Sequence, residues 1–238
     1  MKKFYNIEGM IRNGFKLSRD YETLDFSYAS FTDAAAESLA KSRSIKQVRR
    51  ITISGKKLTA VAAKAFGASE TMGRLESLKL YKNKVGDEGV KYFAESDKLV
   101  SLKSLRLSWN NIGPQGAKYF ADSTNMTSLT SLVLSENQIG DEGLKYLSAA
   151  KSLSNLESID LRRNKVTDEG AIALAKSKNF PKLQSIDLSP ERPTHAEQSR
   201  AYPSIHLQRS LPSGEHLWLP SYARPRELQK QQEVALQR

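Results

Sequence analysis

The chain has 238 residues and a formal net charge of +11, because 37 lysine and arginine residues outnumber 26 aspartate and glutamate residues. It contains no cysteine, which excludes disulfides, thiolate metal sites and cysteine nucleophiles. The sequence has no apolar run of about 18 residues, and polar residues follow its Met-Lys-Lys start, so it predicts neither a membrane span nor a secretory signal.

Residues 1–20 predict a helix that caps the structure that follows. Apolar residues recur there at helical spacing, at Phe4, Ile7, Ile11 and Phe15. A helix on a membrane surface is the alternative, with a basic face formed by Lys2, Lys3, Arg12 and Lys16. We favour the cap, because only these four residues could form such a basic face.

Residues 21–189 repeat with a period of 27. Six copies begin at Tyr21, Val48, Leu75, Leu102, Leu129 and Leu156, and Leu183 begins a seventh strand. With the first residue of each copy as offset zero, apolar residues stand at offsets three and five. The alternation in this first half predicts a short strand, and apolar residues three apart in the second half predict a helix. Because one copy cannot bury its apolar faces alone, we expect the copies to stack.

The pattern LxxLxLxxNxVGDEG in residues 75–89 resembles leucine-rich repeats of the ribonuclease-inhibitor-like, intracellular class. The resemblance extends over residues 21–189. It implies an α/β fold, a curved leucine-rich repeat solenoid with a parallel β-sheet on its concave face and α-helices on its convex face. It also implies a cytoplasmic protein that recognises other proteins, without enzymatic activity and without a cofactor.

An asparagine occupies offset eight of the last four copies, where the chain leaves the strand: Asn83, Asn110, Asn137 and Asn164. An amide side chain can donate to and accept from the backbone of its own and neighbouring copies. We therefore interpret this column as a structural ladder that satisfies buried polar groups in the stack.

Paired acidic residues stand where three of the helices should begin: Asp87 and Glu88, Asp141 and Glu142, and Asp168 and Glu169. Carboxylates at a helix start complement the helix dipole and the free backbone N–H groups. A calcium or magnesium site is the alternative, which we disfavour because the helix starts lie away from the concave face. We expect no bound metal.

The composition changes after Ser189, since residues 190–238 hold six of the 8 prolines and all 3 histidines. We predict a largely disordered tail. In the alternative, the tail folds back over the open apolar end of the stack, which is formed by Leu183, Ile186 and Leu188. The apolar tail residues that would cover this end are Ile205, Leu207, Leu217 and Trp218. The histidines, His195, His206 and His216, are too widely spaced to suggest a metal site.

Strand positions that point away from the core form the predicted concave face. The candidate partner-binding residues on it are Lys79, Tyr81, Lys82, Arg106, Trp109, Glu136, Asp160, Arg162 and Arg163. This set is mostly basic, and an exposed Trp109 beside Arg106 has the composition of a binding hot spot. Arg162 and Arg163 can bind carboxylates through two hydrogen bonds each. We therefore predict an acidic protein partner.

We also considered polyanion binding, an enzymatic activity and an adaptor role. Weak nucleic-acid or polyanion binding would use the net charge, but the charges of residues 1–189 are spread over both faces. Serine recurs at offset two, yet no histidine or aspartate recurs beside it, so we expect no nucleophile. The resemblance also allows a GTPase-regulating or ubiquitin-ligase-associated adaptor. The lysine- and asparagine-rich body suggests a bacterial source. Delivery into a host cell stays open as an alternative to the cytoplasmic location. We expect a monomer that does not bind membranes.

Overall fold

The computed structural model describes residues 6–18, 20–189, 205–208 and 217–219. Helix α1 (Ile7–Ser18) comes first and contacts the first strand, β1 (Thr23–Asp25). Its Ile11 is fully buried and Phe15 packs against the core, whereas Phe4 lies outside the described residues. The Glu8 carboxylate accepts hydrogen bonds from Ser42 and Ser44, which attaches α1 to the turn that follows the second helix. Within the described ranges, none of the helices combines the length and apolar character that crossing a bilayer requires.

Seven strands of three residues pair in parallel and in chain order, as the repeat predicts. After β1 come β2 (Arg50–Thr52), β3 (Ser77–Lys79), β4 (Ser104–Arg106), β5 (Ser131–Val133), β6 (Ser158–Asp160) and β7 (Ser185–Asp187). Residues that lie opposite each other on neighbouring strands are one period of 27 residues apart, so that Leu78 lies opposite Leu105 and Leu105 opposite Leu132. Residues at the same offset are therefore direct neighbours across the sheet.

A helix follows each of the first six strands and packs on the helix of the next copy. These helices are α2 (Asp33–Lys41), α3 (Ala60–Gly67), α4 (Gly86–Ala94), α5 (Pro114–Asp122), α6 (Gly140–Ser148) and α7 (Asp168–Ala175). Single 3₁₀ turns lie at Arg43–Ile45 and Lys151–Leu153. Strand leucines and the phenylalanines Phe66, Phe93 and Phe120 fill one continuous core between sheet and helices. The predicted fold class, a leucine-rich repeat solenoid with an open parallel sheet, is confirmed.

Two further strands, β8 (Ile205–Gln208) and β9 (Leu217–Leu219), extend the sheet in the antiparallel sense. Ile205 of β8 lies opposite Ile186 of β7. The remainder of residues 190–238 lies outside the described part of the chain, so the two alternatives for the tail stay predictions.

The asparagines of the predicted ladder each bond to more than one copy. Asn137 is 5% exposed, and its Oδ1 accepts hydrogen bonds from the backbone N–H groups of Asn110 and Ile112 at 2.9 and 3.1 Å. Its Nδ2 donates to the carbonyls of Leu107 and Leu134 at 2.9 and 2.7 Å. The side chain thus satisfies buried backbone groups of copies four and five.

Aspartates at the start of three helices accept hydrogen bonds from the residue that precedes the helix of the next copy. Asp141 Oδ1 accepts a hydrogen bond from the backbone N–H of Thr167 at 2.8 Å, and its Oδ2 accepts one from the Thr167 hydroxyl at 2.6 Å. Asp33 bonds to Thr59 in the same way, and Asp87 bonds to the N–H of Gly113. The hydrogen bonds of these aspartates therefore stabilise the start of the following helix. The hydrogen bonds from Thr167 lower the pKa of Asp141.

Lysines and tyrosines on the convex face also link neighbouring copies. Lys91 Nζ lies 5.9 Å from the ring centre of Tyr119, and the same contact joins Lys64 to Tyr92 and Lys118 to Tyr146. Each pair joins one helix to the next by a cation–π contact.

Candidate functional site

An open groove of about 430 Å³ runs along the concave face of the sheet, over strands β3 to β7. All the predicted partner-binding residues line this groove except Lys82, which is exposed on the loop after β3. The groove is lined as well by Ser108, Val133, Ser135, Asp187 and Ser189. The period places the predicted residues together, because outward positions of successive strands lie side by side.

Two aromatic residues of the groove are open to solvent. Trp109 is 45% exposed and Tyr81 is 38% exposed, so both rings can contact a partner. Aromatic side chains with this exposure supply much of the affinity of protein interfaces. Tyr28, at the same offset as Trp109 but in the first copy, is 99% exposed. Tyr28 was not predicted, because the outward positions were read only from the third copy on.

From the second to the sixth copy, the residue at offset seven adopts a left-handed backbone conformation. The φ angles are +55° at Lys82, +58° at Trp109, +59° at Glu136 and +56° at Arg163, whereas the second copy has Gly55 there. A non-glycine residue in this region costs about 1–2 kcal/mol. The chain therefore has large polar or aromatic side chains at positions where glycine would adopt the same backbone conformation with less strain.

Carboxylates of the same face hold both arginines of the sixth copy. Arg162 donates to Asp160 at 2.7 and 2.9 Å and its Nε lies 3.3 Å from Asp187. Arg163 Nη1 donates to Glu136 at 2.5 Å. The hydrogen bond with Asp160 raises the pKa of Arg162. Both arginines are thus engaged within the chain.

The other two cations of the groove, Lys79 and Arg106, form no such pairs. They lie directly opposite each other on β3 and β4, and within the described part of the chain neither has a carboxylate partner. Arg106 is exposed and Lys79 is half-buried. The free positive charge of the groove therefore lies over β3 and β4, beside Tyr81 and Trp109.

The groove as a whole is less basic than the predicted residue set. It is lined by four cationic and three anionic side chains: Lys79, Arg106, Arg162 and Arg163, and Glu136, Asp160 and Asp187. Asp187 was not predicted, although the seventh strand was, because the outward positions of that strand were not read. Its signal was available, since it stands one period after Asp160.

The uniform repeat, the open parallel sheet and the groove on that sheet define a leucine-rich repeat fold. In agreement, the Leucine Rich repeat family model matches residues 75–94, 98–121, 125–148 and 152–175. These four segments are leucine-rich repeats, and the copies at 21 and 48 continue them in the sheet.

Two solved structures that are similar to the chain come from Listeria monocytogenes. InlP is 18% identical, with a TM-score of 0.51 over 71% of this chain and 43% of that chain. The internalin InlF of strain 4b F2365 is 24% identical, with a TM-score of 0.37 over 63% of this chain and 44% of that one. The match therefore spans less than half of either structure, and it concerns the fold alone. No curated protein sequence matches the chain.

Proposed function

We propose that this protein is a non-enzymatic scaffold that binds an acidic protein in its concave groove. Leucine-rich repeat proteins generally act in protein–protein interaction, and the groove is where this fold can vary without loss of the stack. The observation that carries the proposal is the exposure of Trp109 and Tyr81 beside Lys79 and Arg106.

The charge of the groove supports an acidic partner over β3 and β4. Cations without a partner raise the local potential, which attracts an acidic surface and speeds its association at low salt. The ion-paired Arg162 and Arg163 contribute less to this attraction, because their charge is already compensated.

The finer parts of the sequence interpretation belong to the same proposal. The 27-residue period supports the ribonuclease-inhibitor-like class and with it a cytoplasmic protein, and the lysine-rich body supports a bacterial source. We propose that the protein acts as a monomer.

The proposal is tested by affinity capture from a cell lysate with three forms of the protein. The groove variant carries Trp109→Ala and Arg106→Glu, and the control carries Tyr119→Ala and Lys91→Glu on the convex face, so both lose one ring and reverse one charge. An acidic protein retained by the wild type and the control, but not by the groove variant, supports the scaffold. Retention of the same protein by the groove variant would contradict it, and nucleic acid retained by all three would favour polyanion binding.

A further inference from the structure

We infer that Lys79 and Arg106 form an anion subsite that binds a carboxylate side chain of the protein partner. This inference rests on the proposed function and specifies the group that the groove recognises. Lys79 and Arg106 are register partners on adjacent parallel strands, whose axes lie about 4.8 Å apart. Like charges in directly opposite positions destabilise a sheet. The pair therefore imposes a cost on the free protein.

The same sheet contains a second like-charged pair, in which the cost is compensated. Asp160 and Asp187 are register partners on β6 and β7, at the same offset as Lys79 and Arg106. Arg162 lies between them, with its guanidinium 2.7 Å from Asp160 and 3.3 Å from Asp187. The acidic pair thus has its counter-ion inside the chain. The basic pair lacks one among the described residues, and a ligand carboxylate would supply it.

Neutral residues separate the basic pair from the acids of the same row. Thr52 lies opposite Lys79 on one side, and Val133 lies opposite Arg106 on the other. Along offset four the row therefore reads acidic, neutral, basic, basic, neutral, acidic, acidic from Asp25 to Asp187. Neither Lys79 nor Arg106 therefore has an acidic residue directly opposite it on a neighbouring strand, so both charges are available to a ligand.

The surroundings favour a carboxylate on a protein segment over a small free anion. Trp109 follows Arg106 by three residues and Tyr81 follows Lys79 by two, and both rings line the groove. A guanidinium accepts a carboxylate through two parallel hydrogen bonds, which Lys79 reinforces as a point charge. The exposed rings then provide apolar contact for the rest of the segment.

The subsite is tested with N-acetyl-hexaglutamate amide as the probe and Trp109 fluorescence as the signal. Trp218→Phe removes the other tryptophan of the chain, so that the emission reports on the groove alone. Arg106→Glu should weaken binding of the probe by about tenfold or more. Lys151→Glu, which changes the net charge equally at an exposed site before β6, should stay within about threefold of the wild type.

Stability gives a second readout that separates a binding role from a structural one. Arg106→Glu places a carboxylate opposite Lys79, so its melting temperature should equal or exceed that of the wild type. Arg106→Gln, which removes the charge without reversing it, should also weaken binding and should not lower the melting temperature.

Three results would overturn the subsite. They are a Trp109 signal that does not respond to the hexaglutamate, an equal loss of binding in Lys151→Glu and Arg106→Glu, and binding of inorganic phosphate as tight as that of the peptide. None of these results decides the proposed function, which the capture experiment tests with a groove variant and a convex control.

Discussion

Replacing Asn137 by alanine should lower the free energy of unfolding by about 3 kcal/mol. The substitution leaves three buried backbone groups without a partner: the N–H groups of Asn110 and Ile112 and the carbonyl of Leu107. The carbonyl of Leu134 keeps a bond, because Asn164 Nδ2 also donates to it at 2.9 Å. A buried group that loses its partner costs about 1–3 kcal/mol, and the lower value for each of the three groups gives the expected loss.

Urea denaturation followed by Trp109 fluorescence, with Trp218→Phe present in every variant, measures this loss, because Trp109 lies in the copy to which Asn137 bonds. Gln138→Ala is the matched control, since Gln138 is the exposed neighbour of Asn137 and its side chain has no hydrogen-bond partner among the described residues. The control should change the free energy of unfolding by less than about 0.5 kcal/mol. An Asn137→Ala variant as stable as Gln138→Ala would refute the ladder as a source of stability.

Three further predictions concern two contacts between copies, at Asp141 and Arg162, and the left-handed backbone at offset seven. Hydrogen bonds from Thr167 lower the pKa of Asp141 in the folded state, so the wild type should be more stable than Asp141→Asn at neutral pH. Urea midpoints should show that this advantage disappears as the pH falls below the ordinary aspartate pKa of 3.8. Lys82→Gly should raise the free energy of unfolding by about 0.5–1 kcal/mol in thermal melts, because glycine adopts the left-handed backbone without strain. Gly55→Ala should lower the free energy of unfolding by a similar amount, although its added Cβ would meet nothing within 4 Å. If both variants were as stable as the wild type, the argument from backbone strain would be wrong. Arg162→Ala should lower the melting temperature at low salt by leaving Asp160 and Asp187 opposite each other, and added salt should restore part of the loss by screening; a loss independent of salt would point to packing instead.

The fold follows from the sequence because one number, the period of 27, sets the register of the whole parallel sheet. Leu78 lies opposite Leu105, and Leu105 opposite Leu132, since each is one period from the next. The same rule could have predicted the pair of Glu136 and Arg163, which also stand one period apart. Glu136 and Arg163 were instead predicted as independent contacts of a ligand, so the pairing of Arg163 within the chain was not foreseen.

Other features of the groove could not be read from the side-chain pattern. The left-handed conformation of Trp109 depends on the turn that leaves the strand, and a tryptophan is a residue type that gives no signal for it. The link from Asp141 to Thr167 spans 26 residues and joins two offsets that differ by one, so the column-by-column comparison missed it. Both features depend on how one copy is displaced against the next, which the geometry of the stack determines.

Uniform and variable columns of the sheet have different physical roles. Asparagine at offset eight recurs in the last four copies and serine at offset two in strands β3 to β7, because these copies present the same backbone groups and the same space to their neighbours. Offset four varies from copy to copy, and at Lys79 and Arg106 it does so against the stability of the sheet. A residue that stabilises the fold should lose stability when it is replaced, as Asn137 should. A residue retained for binding should lose affinity at equal or higher stability, and Arg106→Glu distinguishes these two roles within a single variant.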